Sequence, residues 1–323
     1  MIKITLAYDM RAPSFGPPAV ELYQAALDQC EWADKLGFSR VSFMEHHASS
    51  DGYLPSPLVM AAAAAGRTRE MEIAVSVMLL PLYHPLRAAE DLAVLDLAAN
   101  GRLRLTVGAG YREEEYAQFD LSLKKRPSLM ERGVATLKKA WTGEPFDYEG
   151  KTVRILPTPA QAGGPDIVMG GSSPAAAKRA ARIADGFFPV VPELFDIYLD
   201  ELKALNKPLP ETAQKAPASY RFLHISHDPQ AAWEKIAPHA LHENNDYAQW
   251  LKDAPNAVYT TVSDPGILLS SGAYKIVTPA ECLAMARRDG FLELKPLMGG
   301  LSPQVSWESL RLFEKEVLPY LGE

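Results

Sequence analysis

The feature that most constrains this chain is an alternation of short apolar strand-type runs with longer helix-type segments, sustained from one end to the other. Ile2, Ile4 and Leu6 alternate with Lys3 and Thr5 and predict a first strand. From about Pro18, Leu22, Ala26, Ala33 and Leu36 recur at helical spacing, and Gly37 is placed to stop that helix. Val41 and Phe43 mark a second strand, and residues 57–69 an alanine-rich helix. Ile73–Leu80 is a nearly continuous apolar run, as a strand covered on both faces requires. Pro85 opens a helix that Asn100-Gly101 ends, and Leu103, Leu105 and Val107 make a fourth strand.

The same alternation continues. Residues 109–126 read as a long polar loop, followed by a helix over 127–141 and a small hairpin over 146–156 turning at Glu149-Gly150. Further strands are expected at 166–169, 186–191, 219–225 and 291–298. Helices are expected at 174–184, 193–206, from about 229, from 278–279 and over 303–320, and residues 244–273 read as a loop-rich excursion. Eight strands, each followed by helix, with no linker or shift in composition, predict one α/β domain over residues 1–323: a closed (β/α)8 TIM barrel with loop insertions. An open doubly wound sheet is the alternative, but Tyr8–Pro17 lacks the glycine fingerprint such a sheet carries after its first strand.

Composition narrows the partners. With 33 Lys plus Arg against 40 Asp plus Glu, the net charge of −7 argues against nucleic acid as a partner. The first ten residues lack the pattern of a secretory signal, and no apolar stretch approaches the roughly 20 residues of a membrane span. A cytoplasmic protein with no membrane partner is expected. Cys30 and Cys282 sit in helical segments with no companion motif and read as small buried side chains.

In a barrel the chemistry lies after the C-terminal ends of the strands. Glu45-His46-His47 follows strand two. Neighbouring strand residues face opposite ways, so His46 and His47 are poorly arranged to share a metal, and no metal-binding set is expected. A proton-transfer role and a structural role both remain open. Gly170-Gly171-Ser172-Ser173-Pro174 follows strand five. It reads equally as a phosphate-binding turn at a helix N-terminus or as a tight turn with a serine cap. Gly108-Ala109-Gly110-Tyr111 leaves room for a flat group, and His84 is expected to be buried against backbone.

Taken together these segments resemble the bacterial luciferase-like, flavin-dependent monooxygenases. The resemblance runs from Ile2 to about Phe188, with a weaker echo in the last helix. Its most specific stretch is LLPLYHPLRAAEDLAVLDLAANGRLRLTVGAGYREEEY at 79–116, joined by EHH at 45–47 and by the segment from LMERG through KKAWTGEPFDYEGKTV. The resemblance implies a TIM barrel holding FMN at its C-terminal mouth. It also implies reduced flavin that reacts with dioxygen to a C4a-peroxide and oxygenates a small organic substrate, and a separate NAD(P)H-dependent flavin reductase as partner. His46 matches the family's catalytic imidazole. The matching cofactor contacts are Glu45, Val75, Ser76, Gly108, Ala109, Tyr111, Arg112, Gly170, Gly171, Ser172 and Ser173, with Val75-Ser76 in the place often joined by a non-proline cis peptide.

Two positions depart from the pattern. Ala109 stands where many members carry a phosphate-holding Arg, for which Arg112, Lys178 or Arg179 are the substitutes at hand. Gly108 stands where luciferase carries a cysteine. Relatives with small residues in this turn include enzymes of the deazaflavin F420, which makes F420 the alternative cofactor. A non-catalytic flavin-binding subunit is the third reading, and the presence of His46 speaks against it. Such barrels commonly pair through helices two and three, so a homodimer is expected, with Ala61–Ala65 read either as permitting close approach at that face or as close packing on the barrel itself. Residues 109–126 and 244–273 are the candidates for a cover of the mouth, and Tyr247, Trp250 and Tyr259 in the second read equally as lining of an apolar substrate pocket or as packing of that loop onto the barrel.

Overall fold

The computed structural model describes residues 2–210, 220–252 and 258–322. The alternation becomes β1 (Lys3–Tyr8), α1 (Ala19–Lys35), β2 (Arg40–Phe43), α2 (Pro57–Arg67), β3 (Glu72–Met78), α3 (Pro85–Ala98) and β4 (Leu103–Val107). Then come α4 (Glu113–Gln118), α5 (Arg126–Ala140), the hairpin β5 (Phe146–Tyr148) and β6 (Lys151–Val153), β7 (Ile167–Gly171), α6 (Pro174–Ile183), β8 (Gly186–Pro189) and α7 (Glu193–Ala204). The last part holds β9 (Phe222–Ile225), α8 (Pro229–Trp250), α9 (Pro265–Ser270), β10 (Tyr274–Val277), α10 (Pro279–Asp289), β11 (Phe291–Leu294) and α11 (Pro303–Glu316).

Seven strands form one parallel sheet in the order β11-β1-β2-β3-β4-β7-β8. This shows the α/β class and the parallel half of the expected barrel; among the described residues closure into a ring of eight is not seen. The predicted seventh strand, β9, pairs in parallel with β10. Among the described residues no ladder joins it to β8 or β11. A side chain takes the ladder's place beside β11, where the Glu293 amide donates to the Tyr220 hydroxyl at 2.9 Å.

Apolar periodicity explains the layers. On α1, Leu22, Ala26, Cys30 and Ala33 are fully buried, as are Val41, Ile73, Val75, Leu103, Val107 and Ile167 in the sheet. Ala61, Ala64 and Ala65 of α2 are buried in the chain's own core, while Val59, Ala62, Ala63 and Gly66 face outward. Both cysteines are free and buried, and burial pushes the Cys282 thiol up to about 12. No helix among the described residues is long and apolar enough to cross a membrane.

Other expectations shift in detail. Strand eight ends at Leu294 rather than at 298, because Pro296 cannot supply a ladder donor. The loop at 109–126 contains α4. The excursion at 244–273 is more regular than expected. Helix α8 runs on to Trp250, α9 follows, and β10 begins at Tyr274; residues 253–257 lie outside the described residues, as does Ser219 of the predicted seventh strand. Side chains hold that excursion in place: Asn244 Nδ2 donates to Thr260 O at 2.8 Å and Asn245 Nδ2 to Val262 O at 2.9 Å. His84 is exposed, not buried.

Because the seven strands are parallel, the segments after β1, β2, β4 and β7 emerge along one rim. That rim gathers Asp9–Arg11, Glu45–His47, Gly108–Arg112 and Gly170–Ser173.

Candidate active site

The rim is organised around two buried carboxylates. The Glu115 Oε1 atom lies 2.7 Å from His46 Nδ1 and accepts the His47 backbone N–H at 2.9 Å. Glu45 accepts the Leu79 amide at 2.7 Å and the Tyr83 hydroxyl at 3.0 Å, and its Oε1 lies 2.8 Å from His47 Nε2. Each imidazole therefore has its own carboxylate, and the two do not converge on a common point.

Burial alone would raise the Glu115 carboxyl. The His46 hydrogen bond and charge, the His47 amide and Arg112 outweigh it and hold the group below its ordinary range. An ionised carboxylate only accepts, so His46 Nδ1 carries the proton. The other nitrogen, Nε2, faces the Tyr111 hydroxyl at 3.2 Å. Arg112 Nη1 donates to His47 O at 2.7 Å and lies 3.7 Å from Glu115. His46, Tyr111 and Arg112 thus come together around Glu115, while Glu45 is turned to His47, Leu79 and Tyr83. Glu115 was missed, because it stands last in a run of three glutamates that reads as solvated surface.

The strip beside His46 is built from β3, β4 and β7. The Val77 side chain stands against Gly108, where an added Cβ would collide with Val77 Cγ1, and 3.5 Å from the Cβ position of Gly170. No side chain as large as cysteine fits at Gly108 without displacing Val77. The cis peptide joins Ser76 and Val77, one residue beyond the expected pair. Val75 is fully buried, so Ser76 and Val77 supply the half-exposed pair in place of Val75-Ser76. Ala109, Gly110, Gly170 and Gly171 are half-buried along the same rim, and beyond them Phe188 and Val190 remain 44% and 48% exposed.

The turn after β7 matches its cap reading in part. Ser173 Oγ accepts the Ala176 amide at 3.3 Å and caps α6, while Gly171 lets that helix approach, with Ala176 Cβ 2.6 Å from where its own Cβ would be. Of the cations considered as substitutes for an arginine at 109, Arg179 is paired with Glu131 at 2.9 Å and Lys178 approaches Glu201 at 3.9 Å. The Tyr116 hydroxyl donates to Ala109 O, and the charges acting on that phenol are those of Glu115 and of Arg126, the half-buried first residue of α5. Its place in the cluster Lys124-Lys125-Arg126 hid it, since such runs are normally solvated.

Over His46 stand four aromatic rings: Tyr53, Tyr111, Tyr247 and Trp250, with centroids 4.9–6.0 Å from the imidazole. Tyr247 and Trp250 come from the end of α8, so part of the expected cover at 244–273 does reach the site. Beneath them Arg11 is fully buried, with Nη1 2.5 Å from Asp51 and 2.7 Å from Asp246. Burial pushes the nearby Asp9 carboxyl up to about 6, against the pull of Arg11. Asp51, His242 and Asp246 also bring three ligand-type atoms together, but Arg11 already binds two of them.

The luciferase-like monooxygenase family model matches residues 8–262. The chain belongs to that family. Among luciferase-like relatives, an F420-dependent glucose-6-phosphate dehydrogenase of Nakamurella multipartita is 31% identical over 213 residues, 62% of this chain and 60% of the relative. The crystal structure of monooxygenase RslO1 from Streptomyces bottropensis has a TM-score of 0.77 at 25% identity, covering 99% of both chains. The oxygenating constituent of 3,6-diketocamphane monooxygenase from Pseudomonas putida, in complex with FMN, shares the fold at a TM-score of 0.74 and 18% identity, again over 99% of both. Luciferase-like proteins thus include monooxygenases and other oxidoreductases, and they use FMN or F420. The matched stretches span 38% to 65% of the curated relatives' own lengths.

The Glu115 contacts carry a testable pH dependence. A carboxyl held below its ordinary value of 4.5 in the folded state stabilises the fold above that pH and loses the contribution as pH falls through the lowered value. Glu115→Gln is expected to lower stability at neutral pH by about 1–3 kcal/mol. Thermal unfolding against pH is expected to show the gap from the unaltered protein narrowing below about pH 4.5.

Proposed function

We propose that this protein is the oxygenase component of a two-component monooxygenase that uses reduced FMN and dioxygen to oxygenate a small organic substrate. The observation that carries this reading is the Glu115–His46 pair, which presents His46 Nε2 beside a rim of half-exposed small residues. The donor set fits a flat phosphorylated ring. Ser76, Val77, Gly108, Ala109, Gly110 and Gly170 leave backbone and one valine as a flat apolar floor. Gly171, Ser172 and Ser173, at the N-terminus of the ten-residue α6, would receive the phosphate at the positive end of that helix, and Arg126 would supply the charge that Ala109 lacks. When bound, reduced FMN activates dioxygen so that one oxygen atom passes to the substrate and the other leaves as water.

The chain's own residues manage the proton and the water. Glu115 holds the Nδ1–H of His46, so Nε2 is the atom that accepts and returns a proton, with the Tyr111 hydroxyl as its neighbour. Tyr53 and Tyr247 screen the imidazole from solvent, which a water-sensitive oxidation needs. Reduced flavin would come from a separate NAD(P)H-dependent reductase. F420 is the second reading, favoured by the 31% identical F420-dependent relative and by alanine at 109. The oxygenase reading takes precedence because the apolar cover over His46 serves water exclusion.

A homodimer through α2 and α3 belongs to the same proposal. Val59 is 71% exposed on α2, and Val94 and Leu97 lie outward on α3 at 54% and 43%. With Ala62, Ala63 and Gly66 they give a small, apolar, closely approachable face.

Fluorescence titration of the apoprotein is expected to show FMNH2 binding and no binding of reduced F420; the opposite preference would select the F420 reading. His46→Ala is expected to retain flavin and lose substrate oxygenation by a factor of about 100 to 10,000, whereas unchanged turnover would remove His46 from the mechanism. Size-exclusion chromatography is expected to show a dimer that Val94→Glu converts to a monomer, and a monomeric unaltered protein would refute the interface.

A further inference from the structure

One side chain at the rim stacks where it cannot satisfy its neighbours. Trp250, the last residue of α8 and partly exposed, has two guanidiniums over its ring: Arg112 Cζ at 4.1 Å from the centroid and Arg11 Cζ at 4.7 Å. Both arginines are buried. The indole is also 5.0 Å from the His46 ring. Yet Arg11 Nε and Nη2 and Arg112 Nε have no hydrogen-bond partner among the described residues. An indole can only donate a hydrogen bond, so it offers these three buried donors nothing.

We propose that Trp250 occupies the place of the substrate, and that the substrate is a neutral, electron-rich, hydroxylated aromatic ring of the phenol or naphthol kind. The proposal rests on the rim being the oxygenation site, because the ring concerned lies against His46. Each part of the class follows from a separate contact. Guanidinium over a ring face favours electron-rich rings, whose faces are negative, and disfavours quinones and nitroarenes. The three unpartnered N–H groups ask for an oxygen acceptor, which a ring hydroxyl provides and an indole does not. The acceptor must be uncharged, because the two guanidiniums already face Asp51 at 2.5 Å, Asp246 at 2.7 Å, and Asp9 and Glu115 each at 3.7 Å. An arene carboxylate would add a further negative charge to that group. The position of Trp250 at a helix end lets the ring leave without disturbing the sheet.

The test is isothermal titration of the flavin-free full chain with 2-naphthol, 1,4-naphthoquinone and 2-naphthoate, repeated on Trp250→Ala. Leaving flavin out separates failure of this proposal from failure of the FMN reading. Naphthol is expected to bind at least about tenfold tighter than either of the other two, and Trp250→Ala to gain at least about tenfold more affinity for it. Equal or tighter binding of the quinone or the carboxylate would overturn the assigned class. Loss or constancy of naphthol affinity in Trp250→Ala would make Trp250 a wall of the site rather than an occupant. Absence of naphthol binding in both proteins would overturn the whole inference. The ranking on the unaltered protein stands whether or not the variant folds.

Discussion

A single buried carboxylate, that of Glu115, sets the geometry on which the site depends. One of its oxygens takes both the His46 ring N–H and the His47 backbone N–H, and Arg112 stands 3.7 Å away. Charge-assisted bonds of this kind are short and directional, and in a buried setting they are costly to leave unmade. Because the carboxylate is ionised, it dictates which imidazole nitrogen keeps the proton and which one faces the mouth. The same contact pulls α4 onto the end of β2, so the segment after β4 becomes part of the rim instead of a free loop.

The rest of the rim works around that fixed imidazole. Parallel pairing brings four strand ends to one side, and glycines at 108 and 171 let Val77 and α6 close up where side chains would collide. The sheet is paired from β11 to β8, while β9 pairs with β10. Over the opening, the end of α8 sets Tyr247 and Trp250 against His46 and against two arginines. A proton-transfer group, a flat floor and an aromatic cover therefore come from different parts of the chain and meet through a few buried polar contacts.

The first half of the molecule was largely legible from residue pattern. Alternating or continuous apolar runs located β1 to β4, and the position of Glu45-His46-His47 after a strand pointed to the rim. What escaped was information that depends on helix phase and long-range packing. Glu113, Glu114 and Glu115 are alike as letters, and only the turn of α4 sends the third inward. Arg11 reads as an ordinary loop charge until Asp51 and Asp246, far away in sequence, close on it. The extent of α8 was obscured by Pro238 and by Asn244-Asn245-Asp246, poor helix formers of which Asn244 and Asn245 are secured by contacts to 260 and 262 and Asp246 by Arg11. The pairing of β9 was hidden for a related reason: apolar pattern identifies it as a strand but does not choose its neighbour.

The most direct measurement is long-range nitrogen–proton NMR of the histidine rings near neutral pH, assigned by comparison with a His46→Gln sample. The account predicts a proton on His46 Nδ1, in a strong hydrogen bond whose signal changes when Glu115 becomes Gln. A bare Nδ1 with the proton on Nε2, or a ring insensitive to position 115, would contradict it.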